Sequence, residues 1–183
     1  MLNLGQQLPR FTFCPKCGGV LKGFWDSNIP RSACVDCGYV FYENPVVGVA
    51  GIVLNGEQQI LLGRRCRGQY SGYWCIPCGY VEYHEEVHEA LQREFKEETN
   101  LDIEVLNPFT AQSNFHDPDR HSVGIWFWAR IIDGSLSPGD DLDELDYFDL
   151  DDLPDLAFPT DRKVLEMLHK YVATEIIRWK ASP

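Results

Sequence analysis

Gly79-Tyr80-Val81-Glu82-Tyr83-His84-Glu85-Glu86-Val87-His88-Glu89-Ala90-Leu91-Gln92-Arg93-Glu94-Phe95-Lys96-Glu97-Glu98-Thr99-Asn100-Leu101 is the stretch whose periodicity decides the fold. It predicts a helix from about His84 to Thr99. At about 100° per residue, Val87, Ala90 and Leu91 form an apolar stripe with Phe95 on its flank. Continued by turns, the stripe should meet apolar residues at 94 and 98. It meets Glu94 and Glu98 instead, with Glu97 beside them. A run of charge is ordinarily a solvated face, but these carboxylates lie in line with the core-facing side. Like charges at i, i+3 and i+4 also cost the helix stability. A cation is the common remedy for carboxylates turned inward. Hard oxygen ligands suit Mg2+ or Mn2+, ions that bridge phosphate oxygens and activate water.

Working outward, Val46–Leu54 reads as a buried strand, Asn55-Gly56 as a two-residue hairpin turn, and Gln59–Leu62 as the returning strand. A loop rich in Gly and aromatics, Gly68 to Tyr83, leads into the glutamate helix. Strand-like segments follow at Ile103–Gln112 and Ser122–Ile132, then an acidic loop and a short strand near Tyr147-Phe148. A last amphipathic helix runs from Pro159 or Thr160 to about Trp179, with Val164, Leu165, Leu168, Tyr171, Val172 and Ile176 on its apolar side. The order gives an α+β domain, a mixed sheet flanked by helices, over residues 44–183. A small Cys-rich segment, residues 1–43, precedes it.

The 28 acidic residues exceed the 16 basic ones, for a formal net charge of −12. That sign repels nucleic acid and anionic lipid, and it obliges any phosphate ligand to find its positive charge locally. No stretch is apolar enough to span a membrane, and residues 1–10 do not read as a signal peptide. The expectation is a cytoplasmic protein. Cys14-Pro15-Lys16-Cys17 and Cys34-Val35-Asp36-Cys37 are two CxxC pairs, each followed by a glycine, Gly18 and Gly38. This is the ligand set of a zinc ribbon. Four thiolates leave no open position on Zn2+, so a structural staple is favoured over a catalytic metal or a nucleic-acid grip. A third pair, Cys75-Ile76-Pro77-Cys78, reads as two packed thiols, with a redox or metal role the alternative.

The stretch Gly79-x5-Glu85-x7-Arg93-Glu94-Phe95-x-Glu97-Glu98-x-Asn100-Leu101 also resembles the Nudix box, G-x5-E-x7-R-E-U-x-E-E-x-G-U with U apolar. Asn100 departs from the final glycine, at a helix end where Asn tolerates the left-handed conformation. Gly72-Tyr73-Trp74-Cys75-Ile76-Pro77-Cys78-Gly79 resembles the family's entry to the box, with Cys78 in place of a glycine. The resemblance implies an α/β/α sandwich, and a zinc ribbon ahead of it is similar to the NADH pyrophosphatase branch. It implies Glu94 and Glu98 as the main metal ligands, Glu97 as ligand or water-mediated partner, and the Gly79 carbonyl completing the set. Arg93 would orient a glutamate, and Glu85 would brace the loop or meet a water-bridged cation. The general base lies outside the box in this family. Asp140, Asp141, Asp143 and Glu144 are candidates, with Glu144 favoured, and His116 and His121 are a further possibility. Arg64 and Arg65 are candidate phosphate contacts. Tyr73, Trp74, Phe115 and Trp126 could stack on a base.

The reaction implied is hydrolysis of the bridge in a nucleoside diphosphate linked to another group, by a homodimer. Asn107–Phe115 does not match the motif of the NADH-specific relatives, which favours ADP-ribose or FAD over NADH. Two other classes compete with this reading: a ligand-sensing regulator whose ribbon binds nucleic acid or protein, and a scaffold with an inactive Nudix domain. The first predicts a basic ribbon, yet residues 14–37 hold only Lys16, Lys22 and Arg31; the second predicts lost glutamates, yet all four are present.

Overall fold

A computed structural model describes residues 11–117 and 120–181. Residues 1–10 and the side chain of Ile176 lie outside that description. The chain divides into two compact units, Met1–Asn44 and Pro45–Pro183.

The smaller unit is a three-stranded antiparallel sheet of β1 (Leu21–Asp26), β2 (Ile29–Cys34) and β3 (Val40–Phe41). Ser27 and Asn28, both at positive φ, make the two-residue turn that joins β1 to β2. Among the described residues its buried apolar core is only Cys14, Leu21 and Cys34, with Phe41 packed against them. A core that small needs a staple.

The larger unit contains β4 (Val46–Ile52), β5 (Ile60–Arg65), β6 (Trp74–Cys75), β7 (Cys78–Tyr80), α1 (Val87–Thr99), β8 (Leu101–Asn114), β9 (Ser122–Gly134), β10 (Leu142–Phe148) and α2 (Pro159–Ala181). One sheet is mixed, in the order β7-β4-β9-β8, with only β4 and β9 parallel; the other is antiparallel, in the order β10-β5-β6. Alternation along the strands feeds two cores. Val49, Val53, Leu61 and Phe127 pack with Ala90, Leu91 and Phe95 of α1. Their neighbours Ala50, Ile52, Ile60, Leu62 and Trp126 pack with Val164, Leu165 and Leu168 of α2. The strands thus lie between two helices, the α/β/α sandwich expected.

Two local expectations are corrected. Asn55-Gly56 does not form a two-residue hairpin turn: Gln58 is the residue at positive φ, and the Asn55 side chain organises a longer loop by accepting the Glu57 and Gln59 amides. Beyond the Leu54–Ile60 bridge, β4 and β5 diverge into different sheets, because each finds its partners elsewhere in the chain. The glutamate helix begins at Val87 rather than His84. Glu85 is held in the preceding turn by the Glu82 amide and by Arg93, so it cannot enter the helix.

Candidate active site

The C-terminal end of α1 is fixed by Asn100, which adopts φ 59, sends its N–H to the Lys96 carbonyl and donates from Nδ2 to Ser135 O. That cap sets the rotation of the helix, and with it the direction of the glutamates. Glu98 is 2% exposed. One of its oxygens accepts the Cys78 amide at 2.8 Å. Burial pushes its carboxyl well above the ordinary range, with the Cys78 thiol, Asp141 and Glu94 adding to the rise. Burial raises Glu94 too, against the pull of Arg93. The inward stripe of carboxylates read from the periodicity is therefore a feature of the fold. Glu97 differs: its side chain is 48% exposed.

Arg93 organises the surroundings. Its Nε and Nη2 donate to the two Glu85 oxygens at 2.8 and 2.9 Å. Nη1 donates to Glu94 at 2.8 Å and Glu97 at 3.2 Å, and Nη2 also donates to the Tyr80 carbonyl at 3.1 Å. All five guanidinium hydrogens are used. The bidentate Arg93 pulls the Glu85 carboxyl down to about 2. Gly79 stands where β7 passes beneath the Glu94 carboxylate. A Cβ there would lie well inside 3.0 Å of three Glu94 atoms, so only glycine allows the strand and the carboxylate to approach this closely.

Glu94, Glu98 and Gly79 border a cavity of about 420 Å³, together with Asp140, Asp141 and Arg65. Among the described residues the acidic glutamates do not converge as tightly as the cysteines do: only Cys14, Cys17, Cys34 and Cys37 bring four ligand atoms within 4.8 Å of one another. The reason is visible, since Glu98 turns to the Cys78 amide and Glu97 to Arg93. The donor set still fits a hard cation. Two partly or wholly buried carboxylates face one cavity, and of the two only Glu94 is paired with Arg93 among the described residues.

The acidic loop is zipped to the end of β5. Arg64 pairs with Asp143 at 2.9 Å and Glu144 at 2.5 Å, Arg65 with Asp141 at 2.5 Å, and Arg67 with Asp140 at 2.8 Å. The structure does not bring Glu144 or Arg64 into the cavity wall; they face one another on the β10–β5 pair. Asp140, Asp141 and Arg65 do border it. So does His116, held by Asn114 at 3.0 Å, whereas His121 packs on Phe115. Of the four candidate stacking residues only Trp126 reaches the cavity; Tyr73 and Phe115 are exposed and Trp74 packs on Phe148. Sequence reasoning missed Tyr70, Phe158, Thr160 and Asp161, which also line it. Asp161 is buried, accepts the Ile76 amide at 3.1 Å, and is pushed up to about 7 by that burial.

In the smaller unit Gly18 and Gly38 sit at φ 77 and 71, the left-handed turns that let each CxxC present both sulfurs to one side. Cys14 and Cys37 sulfurs are 3.8 Å apart and those of Cys17 and Cys34 3.5 Å. The Cys37 amide, aided by that of Asp36 and opposed by burial, pulls the Cys34 thiol down to about 7. Against the Gly19 amide, the neighbouring cysteine sulfurs push the Cys17 thiol up to about 12, so the crowded sulfurs share protons until a soft metal displaces them.

Comparison with known proteins points the same way. The model of the NUDIX domain matches residues 44–168. The ADP-ribose pyrophosphatase of Methanocaldococcus jannaschii is 37% identical over 143 residues, which are 78% of this chain and 79% of that protein. The NAD-capped RNA hydrolase NudC of Vibrio atlanticus is 29% identical over 159 residues, 85% of this chain; the match covers 56% of that relative's length. Among solved structures, a NUDIX hydrolase from Nitrosomonas europaea superposes with a TM-score of 0.74 at 28% identity, covering 87% of this chain and 93% of that one.

Proposed function

Because the chain belongs to the Nudix family, we propose that it hydrolyses the diphosphate bridge of ADP-ribose, with a divalent cation held by Glu94 and Glu98. The observation that carries this reading is the Glu98 carboxyl, 2% exposed beside a cavity and carrying one amide donor as its protein hydrogen bond. A carboxylate kept there against such a burial cost has a use for it. Mg2+ or Mn2+ at this point would offset charge on the phosphates and acidify a bound water. Glu97 is a water-mediated partner, and the Gly79 carbonyl a further oxygen. Arg93 positions Glu94 and Glu97, and Glu85 fixes Arg93 in turn. The proton acceptor for the attacking water is sought in Asp140 and Asp141, which border the cavity, rather than in Glu144. Arg65 is the phosphate contact of the β5 pair, because it borders the cavity and Arg64 does not. The four cysteines hold a structural Zn2+, and the enzyme works as a homodimer in the cytoplasm.

ADP-ribose is chosen over NADH and FAD because a relative 37% identical, matched over 79% of its length, is named for it. The NudC relatives suggest a nicotinamide dinucleotide or a capped RNA as the second reading, and the net charge of −12 weighs against a polyanionic RNA. Phosphate release from ADP-ribose, NADH, FAD, diadenosine polyphosphates and nucleoside triphosphates tests the choice, with Mg2+ and with a chelator. Preferred turnover of ADP-ribose that disappears in Glu98→Gln supports it. Binding without turnover of any compound would replace it with a ligand-sensing role.

A further inference from the structure

Four buried side-chain atoms among the described residues have no hydrogen-bond partner, and three of them belong to residues that border this one cavity: Trp126 Nε1, Thr160 Oγ1 and Arg65 Nε. Buried polar groups are almost always paired, so a cluster of orphans on one wall calls for an explanation. Trp126 is 3% and Thr160 9% exposed, so neither is turned to bulk solvent. Their placement is built in. Trp126 lies on β9, and a Cβ at Gly124 would come within 3.0 Å of the indole, so glycine there sets the ring's orientation. Thr160 and Asp161 stand in the first turn of α2, behind Pro159.

The Asp161 carboxyl is buried beside them. One oxygen accepts the Ile76 amide, and the Trp126 indole N–H leans toward the same carboxyl and favours its charged form, yet it closes no hydrogen bond of good geometry. A ligand edge lying against the two would give the indole an acceptor and the carboxylate a donor. Around this wall, the rings of Tyr70, Phe158 and His116 meet at centroid distances of 5.3, 5.6 and 6.0 Å, a set of flat apolar surfaces. Flat walls with two donors and one anionic acceptor suit a planar heterocycle that carries ring acceptors next to an amino group.

We infer that this wall is the seat of the substrate's nucleobase: Trp126 Nε1 and Thr160 Oγ1 donate to ring nitrogens of adenine, whose amino group donates to Asp161. The assignment of adenine rests on the ADP-ribose reading above. The residues are specificity-determining ones, since they touch the base and not the bridge that is cleaved.

The test uses the full chain with Mg2+ and α,β-methylene ADP-ribose, which cannot be cleaved at its bridge, together with its 1-deaza- and 7-deaza-adenine counterparts. Calorimetric Kd values are compared for wild type, Trp126→Phe and Thr160→Val. In wild type, removing a ring nitrogen that meets a buried donor weakens binding about tenfold. The variant lacking that donor binds parent and deaza ligand alike, so the two losses do not add. Thr160→Val is close to isosteric and carries the test alone if Trp126→Phe fails to fold. Equal binding of all three ligands by wild type, or undiminished discrimination in the variants, overturns the inference. Because the ligand is not cleaved, base discrimination in a protein that hydrolyses nothing would sink the hydrolase reading and leave the base seat standing.

Discussion

Glu98→Gln tests the central physical claim, that an acid is held in a place that suits a neutral group better. Gln keeps an oxygen for the Cys78 amide and is close in volume, so packing is preserved while the buried charge disappears. Neutral replacement of a buried charge stabilises by about 1–3 kcal/mol, roughly 3–10 °C in Tm for a unit of this size. The sign with pH follows from the raised Glu98 pKa. Between the ordinary value, about 4.3, and its own raised value, the folded wild type holds a proton that the unfolded chain releases. Wild-type stability therefore falls as pH rises through that window. The variant lacks this titration, so the two melt together near pH 4 and separate as the pH rises. Mg2+ reverses the order, adding about 2.7 kcal/mol to wild type at a hundred times its Kd and little to the variant. Scanning calorimetry in chelator and in Mg2+ at several pH values reads every part of this. A variant less stable than wild type at pH 8 in chelator, or equally stabilised by Mg2+, would refute the reasoning.

Gly79→Ala should displace the Glu94 carboxylate and cut kcat at least tenfold, because its methyl group would occupy the space Glu94 now fills; full activity would show that the approach is not needed. Arg93→Lys cannot make the two-pronged contact with Glu85, so Glu85 should return toward the usual carboxylate range. The stability Glu85 contributes is present above about pH 4.3 and is now lost as pH falls toward about 2; in the variant, acid unfolding begins at higher pH, as a circular-dichroism titration would show. Cys37→Ser should abolish a one-to-one zinc content and unfold the Met1–Asn44 unit, whose apolar core is three residues, while the Pro45–Pro183 unit keeps its melting transition. Metal analysis with calorimetry checks both halves.

The direction of Glu94 and Glu98 was legible because helical periodicity is local: the stretch from Val87 to Glu98 suffices to show that they fall on the apolar stripe. The left-handed glycines after each CxxC and the Asn100 cap were legible for the same reason. The charge pairing was not. Arg64 and Arg65 meet carboxylates 76 to 80 positions away, and nothing near either partner distinguishes a phosphate contact from a surface ion pair. The parting of β4 from β5 was equally hidden, since a turn signal says that the chain reverses and not which sheet it rejoins. Trp126 sits in an alternating apolar strand and reads as core. Asp161 sits in the first turn of a helix and reads as a favourable end charge. Only the fold shows that both border a cavity.

The saturated guanidinium of Arg93 has a consequence for how the site meets its ligand. With every N–H committed to Glu85, Glu94, Glu97 and Tyr80, this arginine is a fixed strut that cannot lend charge to a passing phosphate. Arg65 is already neutralised by Asp141, and the chain as a whole carries −12. On the proposed reading, beyond Arg65 and Arg120 at the cavity wall, much of the charge that a diphosphate needs must arrive with it. A hydrolase of the proposed kind would recognise a cation–diphosphate complex, so its occupancy would follow the supply of divalent ion as closely as the supply of nucleotide.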